Sequence, residues 1–172
     1  MRNLYLTGLP GAGKTAVGRL TAERLGYTFI ESLEDILASD YPTARALWQA
    51  EGEDGFRFRE RVALLRLAHM DSAVVAVSDG ALIWENNRVT MNKTGLVVSL
   101  LRDPKQIRLE GDDHPTLEEE SLQELWEDRE ELYRTFSRCL VNEGTVQEAA
   151  ETLVAWMKEE NDRFAIDWSQ YR

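Results

Sequence analysis

The chain has 172 residues, 43% hydrophobic and 30% charged, the balance of a globular domain long enough to bury a sizeable core. A formal net charge of −11 argues against a general nucleic-acid binder or a protein drawn to anionic membranes, while leaving room for a small anionic ligand held by local basic residues. One cysteine, Cys139, excludes an internal disulfide framework, no apolar run is long enough to span a membrane, and the start lacks a secretory pattern. Together these point to a cytoplasmic protein, read as one domain over residues 1–172.

Short apolar runs alternate with longer helical patterns. Asn3 to Thr7 reads as a strand, followed by a glycine-rich loop and a helix from about Lys14 to Leu25. Tyr27 to Ile30 reads as a second strand, with helical stretches at Glu34–Ala38, Thr43–Glu51 and Phe56–Met70. Ala73–Val77 and Gly95–Leu101 read as the third and fourth strands. A helix from about Pro104 would carry Arg108, and "EGDDHPTLEEE" reads as a charged loop. A long helix from Ser121 to Arg138, a strand at Cys139–Val141 and a helix from Thr145 complete the pattern, with an amphipathic tail over about 159–172. Strands alternating with helices predict a parallel sheet covered on both faces, an α/β fold.

"GLPGAGKT", Gly8 to Thr15, fits the phosphate-loop pattern G-x-x-x-x-G-K-[ST] in the required setting, after a strand and opening a helix. Its glycines let backbone N–H groups curl around phosphate oxygens, and the helix N-terminus favours an anion. Lys14 can neutralise the β- and γ-phosphates, and the Thr15 hydroxyl can reach Mg²⁺. Gly11, Ala12, Gly13 and Ala16 complete the nucleotide-binding set.

Parallel strands put their carboxyl ends on one edge, where ligands bind. Glu31 after the second strand and Asp79 after the third therefore stand beside the phosphate loop. Alone, each acid would read as a solvated turn residue; beside a phosphate loop, a role near Mg²⁺ is favoured. Arg129 falls on the apolar stripe of the long late helix and needs an anionic partner, either a structural carboxylate or a ligand; spacing alone leaves both open. Arg57 precedes Glu60 by three residues on a helix, so the two can pair as a surface ion pair or as an arginine oriented toward an anionic ligand.

The segments "GLPGAGKTAVGRL", "LGYTFIES", "EGEDGFRFRE", "SDGALIWENNR", "GLVVSLLRDPKQIRL", "HPTL" and "REELY" occur in an order and spacing that resembles the shikimate kinases, from Leu4 to about Met157. The resemblance implies a P-loop kinase, a three-layer α/β/α domain with a five-stranded parallel sheet. It also implies a substrate-binding helical region at about 33–62 and a mobile lid at about 110–117. The family transfers the γ-phosphoryl of ATP to the 3-hydroxyl of shikimate with Mg²⁺, which implies a small-molecule substrate and a monomer.

By the same resemblance, Lys14 and Thr15 match phosphate-loop residues and Glu31 matches an acid near Mg²⁺. Arg57 and Arg129 match arginines that grip the substrate carboxylate, Glu60 the acid that orients the first, and Gly80 the third glycine of a triple-glycine stretch. Arg108 resembles the arginine that packs on adenine. Four positions depart from the pattern. Leu33 stands where the family has a substrate-binding Asp, the usual candidate base. Ser78 and Asp79 replace the first two glycines, and His114 replaces the lid arginine before Pro115. Asp79 could thus be a relocated catalytic base, a metal ligand, or a charge that partly neutralises the arginine pair. A same-fold kinase for another metabolite and a nucleotide-binding pseudo-kinase are the alternative readings.

Overall fold

A computed structural model describes residues 1–111, 113–118 and 120–165. Five strands form one parallel sheet: β1 (Asn3–Thr7), β2 (Thr28–Glu31), β3 (Ala73–Ala76), β4 (Gly95–Leu101) and β5 (Arg138–Val141), in the spatial order β2-β3-β1-β4-β5. β1 lies at the centre, with Leu4 opposite Val74 on one side and Leu96 on the other. Because every strand runs the same way, all five deliver their following residues to one edge.

The period of two along a strand sorts the core into two halves. Leu4, Leu6, Val74 and Val98 face helices α1 (Lys14–Leu25) and α6 (Val146–Phe164), against Val17, Ala22, Leu153 and Met157. Tyr5, Val75 and Val97 face the other way, toward α3 (Ala44–Leu67), α4 (Glu85–Thr94) and α5 (Leu122–Phe136), against Leu64, Met91 and Leu125. The short α2 (Ser32–Leu37) and the first part of α3 hold a satellite core of Ile36, Leu47 and Phe56, with Leu33 and Trp48 packed against it. Capping boxes at Ser121/Glu124 and Thr145/Glu148 fix the starts of α5 and α6.

The α/β/α layering and the strand count agree with expectation; several elements differ. The helices expected at Thr43–Glu51 and Phe56–Met70 are joined into α3, with a break at Gly52, whose φ of 70° only glycine adopts cheaply. The helix expected from Pro104 is a single 3-10 turn, Pro104–Gln106, capped by Asp103, so Arg108 sits past its end. The charged loop contains a 3-10 turn at Pro115–Glu118. α4 carries no apolar stripe to betray it: only Asn87 and Met91 are buried. Of the expected tail, residues through Phe164 continue α6, and 166–172 lie outside the described residues.

Candidate active site

The phosphate loop crosses the strand-end edge between β1 and α1. Gly13 adopts a φ of 97°, and a Cβ there would meet Asn142 Nδ2 at 2.6 Å, so the position excludes a side chain twice over. That close approach has a purpose in the fold: Asn142, just after β5, donates from Nδ2 to the Ala12 carbonyl at 2.8 Å and pins the loop. Ala12 itself is buried, with its Cβ turned into the core. Lys14 Nζ donates to the carbonyls of Gly8 and Leu9, each at 2.9 Å. Burial pushes the Lys14 ammonium below its usual range, and the nearby Asp79 and Glu31 carboxylates offset part of that.

At the next strand end, Thr15 Oγ1 donates to Glu31 Oε1 at 2.5 Å, so two oxygen ligands meet beside the loop. Among the described residues there is no cluster of three or more His, Cys, Asp or Glu side chains able to hold a metal. A hydroxyl and one carboxylate nevertheless suit Mg²⁺, which takes one or two protein oxygens and completes its shell with water and phosphate.

A cleft of 520 Å³ opens along this edge. Gly11, Gly13, Lys14, Thr15, Ala16 and Glu31 line its phosphate end. Arg108 and His114 line it from the segment after β4, and Leu33, Trp48 and Phe56 form an apolar wall. Arg108 Nη1 donates to the carbonyls of Lys105 and Ile107, so its guanidinium lies along its own backbone. Arg102 also lines the cleft, with its Nε buried and lacking a hydrogen-bond partner.

β3 delivers Ser78 and Asp79 to the cleft; Ser78 contacts Glu60, which pairs with Arg57 beside Gly80, and Asp79 pairs with Arg129. Arg57 Nη1 donates to Glu60 Oε1 at 3.1 Å, with both side chains buried. Ser78 Oγ donates to the same oxygen, and Asn87 Nδ2 reaches Glu60 Oε2 at 3.4 Å. Burial pushes the Glu60 carboxyl above its usual range, against the pull of Arg57. Gly80 is required here because a Cβ would fall on the Arg57 guanidinium. Arg57 Nη2 is buried without a hydrogen-bond partner.

Arg129 finds its partner in Asp79: Nη1 donates to Oδ2 at 2.5 Å. Thr116 Oγ1 donates to the same oxygen at 3.3 Å, and the Tyr133 hydroxyl donates to the Asp79 carbonyl at 3.4 Å. Burial pushes the Asp79 carboxyl up, but Arg129, Arg57 and Lys14 pull harder and hold it below its usual range. Of the three roles open to Asp79 from sequence, the geometry favours the charge that neutralises an arginine.

Four contributors had no sequence signal strong enough to single them out. Asn142 and Arg102 each follow a strand at the same edge, which is the only hint they carry. Thr116 and Asp113 lie in the charged loop; Asp113 accepts from the amides of Ala44 and Arg45, each at 2.8 Å, and so fastens that loop to the start of α3.

The shikimate kinase family model matches residues 10–158. A shikimate kinase of Thiobacillus denitrificans is 36% identical over 163 residues, covering 91% of this chain and 89% of that protein. One from Neisseria meningitidis serogroup C is 35% identical, covering 88% and 93%. The solved structure of Acinetobacter baumannii shikimate kinase in complex with shikimate superposes with a TM-score of 0.85 at 32% identity, covering 93% of this chain and 94% of that one. That of Bacteroides thetaiotaomicron shikimate kinase gives 0.79 at 26% identity, covering 91% and 98%. With the five-stranded sheet and the phosphate loop already placed, this chain belongs to the shikimate kinase family.

Proposed function

We propose that the protein transfers the γ-phosphoryl group of ATP to the 3-hydroxyl of shikimate. The observation that carries this reading is one cleft with two chemically distinct ends, in a chain of this family. One end is the phosphate loop with Lys14, Thr15 and Glu31; the other backs onto Arg57, Glu60 and Arg129.

In this reading the amides of the loop around Gly11, Gly13, Thr15 and Ala16 cradle the β- and γ-phosphates. Lys14 exchanges its two carbonyl partners for phosphate oxygens and balances the charge that builds on them during transfer. Thr15 and Glu31 would hold Mg²⁺, which supplies charge neutralisation at the phosphoryl oxygens. Arg108 and His114 flank the nucleotide from the far side of the cleft. Leu33, Trp48 and Phe56 exclude water from the acceptor, and the buried arginines supply positive charge for its carboxylate. Transfer through a loose transition state depends on positioning more than on proton abstraction. A carboxylate held below its usual range, as Asp79 is, suits charge placement better than the work of a base.

A coupled assay of ADP release tests the reading. Shikimate is expected to stimulate ATP consumption well above the rate without acceptor. No stimulation at saturating ATP would overturn the acceptor assignment, and tight ATP binding without any turnover would mark a regulator instead.

A further inference from the structure

The carboxylate of Asp79 lines the cleft and pairs with Arg129, one of the two arginines that the proposed reading assigns to the acceptor's carboxylate. The Asp79 side chain is 17% exposed, whereas the Arg129 side chain is 8% exposed and stands behind it. The contact between them is short, at 2.5 Å, and Thr116 and Tyr133 hold Asp79 in place from two other segments. Each buried arginine already has a carboxylate partner: Arg57 pairs with Glu60 and Glu53, and Arg129 with Asp79. A further carboxylate at Arg129 would meet the Asp79 carboxylate already there, and crowding two carboxylates onto one buried guanidinium is costly unless one of them leaves.

We propose that Asp79 is a specificity-determining residue, a built-in counter-anion that an acceptor's carboxylate must displace from Arg129. This rests on the reading that the acceptor occupies this cleft. The consequence is a flattened preference: an acceptor with a neutral polar group in place of the carboxylate is taken almost as readily. The polyol part of the acceptor and the Leu33 wall then carry most of the selection. Arg57, whose Nη2 is buried and has no hydrogen-bond partner, keeps a residual donor for either group.

The test compares shikimate with its neutral carboxamide on the wild-type protein, Asp79→Gly and Asp79→Asn. Calorimetric binding is measured beside steady-state ADP release. Wild type is expected to separate the two ligands by less than about tenfold in affinity. Removing the Asp79 charge is expected to tighten shikimate by about 10- to 100-fold, the range of a hydrogen bond to a charged group, and to leave the carboxamide within about threefold. The Asn variant keeps the side-chain volume, so it serves where Gly loosens the turn. Shikimate affinity that stays the same, weakens or is absent in both variants overturns the proposal. The function reading fails separately: tightened binding without ATP turnover in any of the three proteins would sink that reading and leave the role of Asp79 supported.

Discussion

Arg57 and Glu60 meet one turn apart on α3 at 3.1 Å, and they are only 2% and 1% exposed. Removing one partner strands the other charge in the interior. Arg57→Ala is therefore expected to cost about 3–5 kcal/mol, the usual penalty for breaking a buried pair. Replacing both residues with apolar ones should cost far less. Urea denaturation of the two single variants and the double variant measures this; nearly additive losses would show that the two charges do not depend on each other.

Two neighbouring acids should bend the stability curve in opposite directions with pH. Asp79 is held below its ordinary value of 3.8, so its contribution is complete above that value and is lost as the pH falls through the folded pKa. Glu60 is held above its ordinary 4.5, so its contribution is complete below 4.5 and is lost as the pH rises through the folded pKa. Denaturation midpoints over a pH series should show Asp79→Asn flattening the acid limb and Glu60→Gln flattening the decline above pH 4.5. A Glu60→Gln curve parallel to wild type would remove Glu60 from that decline.

Lys14 should be needed for turnover and not for folding. Burial pushes its ammonium below the usual range, which means the folded state carries a charge it would sooner lose. Lys14→Met is expected to reduce ATP turnover by about a thousandfold or more, as removal of a phosphate-stabilising cation does. Its melting temperature without nucleotide should match or exceed that of wild type. Earlier melting would show instead that the bonds from Nζ to Gly8 and Leu9 hold the loop together.

Asp113 should control how firmly the charged loop stays down. Its carboxylate takes two of the orphan amides at the start of α3, those of Ala44 and Arg45. Asp113→Ala is expected to cost about 0.5–2 kcal/mol, as loss of a helix cap does. Hydrogen exchange at the Ala44 and Arg45 amides should accelerate, while amides in β1 and β4 stay protected. Equal acceleration across the sheet would mean global destabilisation rather than release of the loop.

The fold was legible where chemistry repeats along the chain. The phosphate loop marks β1 and α1 by its own pattern, and apolar runs mark the strands, with Asn3–Thr7 and Gly95–Leu101 read to the residue. α4 escaped because it has no apolar stripe: Asn87 and Met91 are its only buried residues. The paired residues on α3 were legible because Arg57 and Glu60 lie on one helix at a fixed spacing. Contacts between distant segments were at most one alternative among several, as for Arg129 and Asp79, 50 residues apart, or carried no signal, as for Asp113 and Ala44, 69 apart. A sequence can show that a buried arginine needs an anion, but only the packed strands and helices decide which one arrives.

The bond from Asn142 to the Ala12 carbonyl spans 130 residues of chain. It ties the first functional loop to be synthesised to the last strand to be added. During synthesis, Asn142 can therefore pin the nucleotide-binding loop only after β5 has left the ribosome and docked beside β4.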